Sequence, residues 1–219
     1  MQIDKLQYLF DPLCGWCYAS APALKYLAKT YPEKLELLPS GLFSEEGART
    51  INAQWATHAW TNDRRIASLT GQCFSEAYHK LLHSNSRFDS QYLNRVLTVF
   101  RDIAPAAEAG LLHELQISRY VLGLDTSRSD VVAQISIEYA MTLKLDIPNY
   151  LISDQLAVDT NLSEMTNKRI QNVKALMRSL GVNGVPLLLV ISGGKTHAIS
   201  GHSLYGGTMA ISNALKQFS

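Results

Sequence analysis

The sequence predicts an α/β fold in which the two ends of the chain form one small sheet, with a large all-helical insertion between them. Three observations lead to this prediction. Residues 1–43 show the order strand, helix, strand. Residues 44–160 show helical periodicity and no convincing strand. Residues 161–219 show the order helix, strand, hairpin, strand, helix.

The N-terminal segment begins with an apolar run over Leu6–Phe10 that predicts a buried strand. Asp11 and Pro12 end this strand, and a helix is predicted to follow as far as about Tyr31. Pro22 lies inside that helix, and because proline lacks a backbone N–H, we expect it to kink or restart the helix. A second, short strand is predicted over Leu35–Leu38.

The insertion is predicted as a series of amphipathic helices, since its apolar residues recur with a period of about 3.6. We expect Cys73 to lie on one of these apolar stripes, as a small core residue. Helix starts are predicted at Asp89 or Ser90, at Pro105, at Ser129-Asp130 and at Pro148. The stripes are formed by Ile66, Leu69, Cys73, Ala77 and Leu81, by Tyr92, Val96, Val99 and Ile103, and by Leu112, Leu115 and Ile117.

The C-terminal segment returns to strands. Its predicted elements are a helix from Asn161–Glu164 to a C-cap at Gly181, a buried strand over Leu187–Ile191, a turn at Gly193-Gly194, a strand over Lys195–Ser200, and a helix over Leu204–Phe218 capped by Ser203. Joined to the first segment, this is the thioredoxin-like order of elements. The predicted division is a discontinuous thioredoxin-like domain, 1–43 and 161–219, with an insertion domain over 44–160.

Chemistry is expected at Asp11-Pro12-Leu13-Cys14-Gly15-Trp16-Cys17, where the first strand gives way to the first helix. The opening turn of a helix has unpaired N–H groups and partial positive charge, which stabilise a thiolate. We therefore expect the Cys14 thiol to lose its proton more readily than a free cysteine. Cys17 lies one turn later on the same side, so the pair can cycle between dithiol and disulfide.

Two other interpretations of the cysteine pair were weighed. Half of a zinc site is one, but a structural zinc site needs four ligands. The only other cysteine is Cys73, and no histidine lies near the pair in sequence, so we expect no metal. Two unreactive core cysteines are the other, and the strand-to-helix position argues against them.

Composition narrows the function classes. The formal net charge of +1, with 18% charged residues, gives no electrostatic argument for nucleic acid or membrane binding. The sequence contains no apolar run long enough to span a bilayer and no secretory leader, so we expect a cytoplasmic protein. A processed periplasmic form is the alternative, because its mature chain with an added Met would look similar. Three cysteines do not resemble a disulfide-stapled secreted scaffold. The oligomeric state cannot be inferred from these features.

On Cys14-Gly15-Trp16-Cys17, Gly184-Val185-Pro186 and the helical insertion between them, the chain resembles the DsbA family of thioredoxin-like thiol–disulfide oxidoreductases. It is most similar to the cytoplasmic branch of FrnE-like proteins and predicted protein-disulfide isomerases. Phe10–Cys17, Leu69–Gln72 and Leu111–Tyr120 are typical of that branch. The resemblance spans nearly the whole chain.

The resemblance implies roles for individual residues. Taken alone, the sequence favours a trans proline at Pro186 that starts a strand, because few X-Pro bonds are cis. The resemblance instead implies that Pro186 is a cis proline lying against the cysteine pair. The backbone of Val185 would then be free to pair with an extended substrate. Gly15 and Trp16 carry no charge, which suggests a less oxidising pair than one with a histidine there. Asp11 is interpreted equally as a turn residue and as an aid to moving the Cys17 proton.

Function is therefore predicted as thiol–disulfide exchange, with Cys14 as nucleophile and Cys17 as resolving thiol. The substrates would be protein or small-molecule thiols and disulfides, with no cofactor beyond the Cys14–Cys17 pair and with glutathione as a candidate co-substrate. The alternative is a glutathione-dependent isomerase or transferase of the kappa-class type. Such relatives commonly carry serine at the nucleophile position and lack the second cysteine. A non-catalytic binding module on this fold is a third interpretation, and the two retained cysteines argue against it.

Overall fold

The computed structural model describes residues 2–146, 151 and 154–218. Its N-terminal part contains strand β1 (Ile3–Phe10), helices α1 (Gly15–Ala19) and α2 (Ala21–Thr30), and strand β2 (Leu35–Pro39). The helix restarts as Pro22 predicts: Ser20 ends α1, and Pro22 takes the second position of α2, where its missing N–H costs no helical bond. The turn that carries the two cysteines therefore leads into a short helix, α1, which is separate from α2.

The insertion is helical, as predicted. Its elements are α3 (Ala53–Thr70), α4 (Glu76–Leu82), α5 (Gln91–Ile103), α6 (Glu108–Tyr120), α7 (Ser129–Thr142) and α8 (Gln155–Val158), followed by α9 (Thr160–Ser179). The expectation of no strand in this region is wrong: β3 (Arg49–Thr50) pairs antiparallel with β4 (Arg87–Phe88). Strands of two residues are too short to produce an alternating sequence pattern. The helix start predicted at Pro148 lies outside the described residues.

The stripe predicted from Ile66 to Leu81 is divided between two helices. Gly71 has a φ of 75°, in the left-handed region that glycine adopts without strain, and it ends α3. The chain over residues 71–75 is therefore not helical, and Leu69 is 57% exposed. Cys73 is exposed, so its prediction as a core residue is wrong. The apolar residues follow the helical period within α3 and within α4, but Cys73 lies in the non-helical segment between the two helices.

The helix start predicted at Asp89 or Ser90 is confirmed, since Ser90 immediately precedes α5, and the other starts differ by a few residues. Pro105 begins a short 3₁₀ turn, Pro105–Ala107, that leads into α6. Helix α9 begins after Asp159, whose carboxylate accepts the backbone N–H of Leu162 at 2.7 Å. At its other end, Gly181 follows the helix with a φ of 65°, and the N–H of Val182 reaches back to the Met177 carbonyl. This is a Schellman ending, as the predicted C-cap requires.

The C-terminal part contains β5 (Leu187–Ser192), β6 (Lys195–Ile199), α10 (His202–Tyr205) and α11 (Gly207–Leu215). The turn at Gly193-Gly194 is confirmed, since both glycines have positive φ. The single final helix that the sequence predicts is wrong. The chain breaks at Gly206, Gly207 has a φ of 80°, and the last residues form a 3₁₀ turn over Lys216–Phe218.

Within the described residues, the main sheet has the order β2-β1-β5-β6. Strand β1 lies parallel to β2 and antiparallel to β5, which is antiparallel to β6. Alternate residues face opposite sides of the sheet. One side packs with α9 and includes Leu9, Leu38, Val173, Leu187 and Leu189; the other joins the larger core shared with the insertion and includes Leu6, Tyr8, Phe10, Leu188 and Val190.

The predicted α/β class and helical insertion are confirmed by this architecture. The exact division at residues 43 and 160 stays a prediction. None of the helices in the described ranges is long and apolar enough to cross a membrane.

Candidate active site

The cysteine pair lies where β1 gives way to α1. Cys14 is the residue immediately before α1, with an extended backbone, and its carbonyl accepts the N–H groups of Cys17 and Tyr18 at 2.9 and 3.0 Å. Its own N–H donates to the Asp11 carbonyl at 3.0 Å. The turn after the strand is therefore closed by backbone bonds, and the Cys14 side chain is held at the opening turn of the helix.

The two thiols differ in their surroundings. Both are free, with 7% of Cys14 and 2% of Cys17 exposed. Burial, helped by the hydrogen bond and charge of Cys14, raises the pKa of the Cys17 thiol well above its ordinary value. Cys17 therefore keeps its proton while Cys14 is unreacted, and Cys14 is the thiol nearer to solvent.

The Val185–Pro186 peptide bond is cis and lies against Cys14. The Cys14 Sγ donates to the Val185 carbonyl across 3.7 Å, although the two residues are 171 apart in sequence. Sheet register explains the meeting: Leu187, at the start of β5, pairs with Leu9, near the end of β1. The two segments that flank these strand ends, the cysteine turn and the Val185–Pro186 bond, therefore face each other.

Gly15 and Trp16, between the cysteines, contact different parts of the molecule. A Cβ on Gly15 would lie 2.5 Å from the Asp63 Oδ1 and 3.0 Å from a methyl of Ile66, so a larger residue would require the side chains of α3 to shift. The Trp16 ring is half-buried, with its centroid 5.0 Å from that of Tyr205. One spacer residue thus faces the insertion and the other faces α10.

Asp11 is completely buried behind the turn. One carboxylate oxygen accepts the Leu13 N–H at 2.9 Å, and the other accepts the Phe43 N–H and the Ser90 hydroxyl, both at 3.1 Å. Burial raises the pKa of this carboxyl to about 6, against the opposing effect of these bonds. The contacts favour the interpretation of Asp11 as the residue that holds the turn, because both of its oxygens are occupied by donors.

Sequence reasoning missed several tyrosines that surround the pair. The Tyr8 hydroxyl points to the Cys17 carbonyl at 3.5 Å, and the Tyr120 hydroxyl donates to the Leu13 carbonyl at 2.8 Å. Burial, followed by the charges of the two cysteines, raises the pKa of Tyr8 well above its ordinary value. Tyr8 lies only six residues before Cys14, on the strand that leads into the cysteine turn, so its place near the pair could be expected from the sequence. Nothing in the local sequence marks Tyr120.

Asp63 is the other residue that the sequence did not reveal. It projects from α3 of the insertion, is 5% exposed, and accepts the Tyr78 hydroxyl at 2.9 Å through its Oδ2. Burial raises the pKa of this carboxyl to about 7, although Tyr78 and Arg119 act in the opposite direction. Its other oxygen is the one that meets Gly15.

Metal ions need particular sets of ligand side chains that converge on one point. In the part of the chain that the structure describes, no group of three or more His, Cys, Asp and Glu side chains is placed to hold a metal ion.

The sequence matches no protein-family model and no curated protein. Solved structures do share its architecture. Cytosolic disulfide reductase DsbM from Pseudomonas aeruginosa superposes with a TM-score of 0.82 at 23% identity, covering 97% of this chain and 98% of that chain. The chain has a DsbA-like fold. Its structural neighbours are DsbA-family oxidoreductases, which confirms the predicted thioredoxin-like architecture with its helical insertion.

Other structures with this DsbA-like fold have different described activities. DsbM solved with GSH gives a TM-score of 0.79, again at 23% identity, 97% coverage of this chain and 98% of that chain. A protein-disulfide-isomerase candidate from Nitrosomonas europaea gives 0.71 at 18% identity, with all of both chains covered. A 2-hydroxychromene-2-carboxylate isomerase gives 0.53 at 13% identity, covering 97% and 94%. At these identities the likeness establishes the fold, and the reaction must be argued from the site.

Proposed function

We propose that this protein is a thiol–disulfide oxidoreductase or isomerase that works through the Cys14–Cys17 pair. The observation that carries the proposal is the meeting of Cys14 with the Val185 carbonyl beside a cis proline, with Cys17 buried behind it. A thiol at the opening turn of a helix, a more deeply buried second thiol and a neighbouring backbone segment that can pair with an extended substrate suit disulfide exchange. The disulfide reductase and isomerase descriptions of structures with the same fold support this choice.

In the reductive direction, the Cys14 thiolate attacks one sulfur of a substrate disulfide. A Cys14–substrate disulfide forms, the substrate S–S bond breaks, and the first substrate sulfur leaves as a thiolate. An extended substrate segment would pair with the Val185 backbone during this step, as an added strand does at a sheet edge. Such pairing places the incoming sulfur near Cys14 without requiring a particular side chain.

The second step uses Cys17. Loss of its proton, which the raised pKa delays until the mixed disulfide exists, lets the Cys17 sulfur attack the Cys14 Sγ. The Cys14–Cys17 disulfide forms and the second substrate thiolate leaves, so two electrons pass from the pair to the substrate. Two equivalents of a small thiol return the pair to its reduced state and are themselves oxidised to a disulfide. If the mixed disulfide is instead attacked by another substrate thiol, the outcome is isomerisation.

Glutathione is proposed as the small thiol. The support is the DsbM structure solved with GSH, which has the same fold over nearly the whole chain. Protein or small-molecule disulfides are the proposed substrates, in a cytoplasmic setting like that of the cytosolic DsbM. With a near-neutral net charge, the chain offers no electrostatic basis for nucleic acid or membrane partners.

The competing function is glutathione-dependent isomerisation or transfer. It is favoured by one observation, the shared fold of a 2-hydroxychromene-2-carboxylate isomerase. That chemistry needs a single activated group for glutathione and no resolving thiol. The presence of Cys17 one turn after Cys14, within hydrogen-bonding reach of it, favours redox exchange.

Reduction of insulin in the presence of glutathione tests the proposal. We expect activity in the parent protein, loss in Cys14→Ser, and accumulation of a mixed disulfide in Cys17→Ser. Cys73→Ser is the matched control, because Cys73 is exposed and lies outside the pair, and it should keep full activity. Activity toward aromatic electrophiles and glutathione that survives Cys17→Ser, without insulin reduction in the parent, would replace this proposal with the competing one.

The redox potential gives a second test. Because Gly15 and Trp16 bring no charge to the pair, we expect a potential more reducing than the value of about −120 mV that is typical of strongly oxidising DsbA proteins. Equilibration of the pair in glutathione buffers measures it. A value as high as that of DsbA would show that groups other than the two spacer residues set the potential.

A further inference from the structure

We propose that Asp63, which the helical insertion contributes, controls the reactivity of the Cys14 thiolate through its own charge. The inference rests on the proposed thiol–disulfide function and concerns the same site. Asp63 would act without touching the substrate, as a residue that changes the electrostatic surroundings of the nucleophile. Its role would make the insertion part of the redox machinery.

Geometry places the carboxylate at the cysteine turn. A Cβ built on Gly15 would lie 2.5 Å from the Asp63 Oδ1, so the oxygen is in close contact with the backbone directly after Cys14. The same Cβ would lie 3.0 Å from the Ile66 methyl, one turn further along α3. Helix α3 thus packs on α1 through a contact that brings an acidic oxygen to the residue between the nucleophile and Trp16.

Three elements face Asp63. At α1 the contact is with Gly15, the residue directly after Cys14; α4 contributes Tyr78, whose hydroxyl donates to Oδ2 at 2.9 Å; and α6 contributes Arg119 and Tyr120. Arg119 is 1% exposed, and its Nη1 donates to Thr126 at 3.3 Å. Its guanidinium lies 5.1 Å from the Phe88 ring centroid and 5.7 Å from that of Tyr78, and its positive charge attracts the Asp63 carboxylate.

The charge of Asp63 changes near neutral pH. Burial raises the pKa of this carboxyl to about 7, while the Tyr78 bond and the charge of Arg119 oppose the increase. Below that pH the carboxyl is neutral, and above it an anion lies next to the cysteine turn. Neighbouring like charges disfavour one another, so we expect an ionised Asp63 to lower the population of the Cys14 thiolate. Reactivity of Cys14 should therefore rise less steeply with pH once Asp63 ionises.

The rate of alkylation of reduced protein by iodoacetamide, measured from pH 5.5 to 9, tests this without any disulfide turnover. All variants carry Cys73→Ser, because Cys73 is exposed and would react. Modification of Cys14 is quantified by peptide mass spectrometry. In the parent we expect a bend near pH 7. In Asp63→Asn, which keeps the shape and an acceptor for Tyr78, we expect no bend and a rate several-fold higher at pH 8.5.

Tyr78→Phe provides a second variant with the charge of Asp63 retained. It removes the hydrogen bond that lowers the pKa of Asp63, so the bend should move to higher pH. Glu108→Gln is the matched control, because Glu108 is another carboxyl whose pKa burial raises to about 7, but it bonds Arg169 at 2.5 Å and no residue of the site. It should leave the profile unchanged.

Identical profiles for the parent and Asp63→Asn would overturn the inference, as would an equal change in Glu108→Gln. The result is separable from the proposed function. Absence of insulin reduction in the parent, with the Asp63-dependent bend intact, would refute the oxidoreductase proposal and leave the control of Cys14 by Asp63 standing. Insulin reduction by the parent, with no bend in its alkylation profile, would support the oxidoreductase proposal and refute the control of Cys14 by Asp63.

Discussion

Two buried carboxyl groups flank the cysteine turn, and they differ in how their oxygens are used. Asp11, on the sheet side, has donors on both oxygens and joins the turn to the backbone of Phe43 and to Ser90. Asp63, on the insertion side, has one hydroxyl donor and presents its other oxygen to Gly15. The comparison teaches that burial alone does not define a role. Asp11 has donors on both oxygens, and its charge also contributes to the raised pKa of the Cys17 thiol, whereas Asp63 has an oxygen directed at the residue after Cys14.

Among the variants that test this contrast, we expect Asp11→Ala to change the free energy of unfolding most. The substitution leaves the buried donors of Leu13, Phe43 and Ser90 without their acceptor. We expect a loss of about 3–5 kcal/mol in the free energy of unfolding, since each unpaired buried donor costs roughly 1–3 kcal/mol. Urea denaturation at pH 7 measures it. Asp63→Asn should cost less than about 1 kcal/mol, because its single donor keeps an acceptor; equal costs would break the contrast.

Next in size is the pH dependence of stability. Burial raises the pKa of Asp63 to about 7, so between pH 4 and pH 7 the folded chain holds a proton that the unfolded chain releases. Stability then falls as pH rises across this interval, by about 3 kcal/mol for this group. Urea denaturation at pH 5 and pH 8 should show the fall, and Asp63→Asn should reduce it.

The lower limit of pH 5 separates this effect from acid-induced loss. Although burial raises the pKa of Glu36, bonds from Lys5 and Gln7 lower it to about 2. Its contribution to stability is lost only as pH falls below about 4.5, outside the chosen interval. Stability that rises between pH 5 and pH 8 would contradict the assignment of Asp63 as a group that is neutral at low pH.

How much of this could be predicted depends on the range of the interactions. Cys14, Cys17, the restart at Pro22 and the Gly193-Gly194 turn are visible because their signals occupy a few adjacent residues. The two-residue strands β3 and β4 carry too little pattern to be found. Gly71 and Gly206 lie inside segments that the periodicity predicts as continuous helix, but in the structure each of them ends a helix.

The site itself shows the same limit. The cysteine turn and its proline partner were predicted from motifs and resemblance, but Asp63, Tyr78 and Tyr120 reach it only through packing of α3, α4 and α6. Asp63 is separated by 48 residues from Gly15 and lies on a helix with no unusual local sequence. A side chain whose role arises from tertiary contact leaves no trace in periodicity or spacing.

Gly15→Ala tests the contact between the turn and the insertion, with a smaller effect. Alanine is ordinarily better than glycine in a helix, but here its Cβ would meet the Asp63 Oδ1 at 2.5 Å. We expect a cost of about 1–3 kcal/mol from overpacking. In an Asp63→Ala background much of the cost should disappear, leaving the contact with Ile66. A cost that is the same in both backgrounds would show that Asp63 is not what excludes the methyl group.

The smallest effect is expected for Tyr120→Phe. Loss of the hydroxyl leaves the buried Leu13 carbonyl without its 2.8 Å partner and should cost about 1 kcal/mol. Tyr26→Phe is the control: in the described part of the chain its hydroxyl makes one long hydrogen bond of 3.4 Å, to Ser212, so the substitution should cost almost nothing. Thermal denaturation of the two variants compares them. Equal melting temperatures would mean that the insertion does not support the cysteine turn through Tyr120.

The strand order has a consequence for synthesis of the protein. Strand β1 is synthesised before the insertion, whereas its partner β5 leaves the ribosome only after the whole insertion. Until then, the β1 edge that will pair with β5 is unpaired, and Cys14 lacks the Val185 carbonyl that faces it in the finished molecule. A nascent chain that stops before Leu187 should therefore have a Cys14 thiol that oxidants reach more readily than in the folded protein.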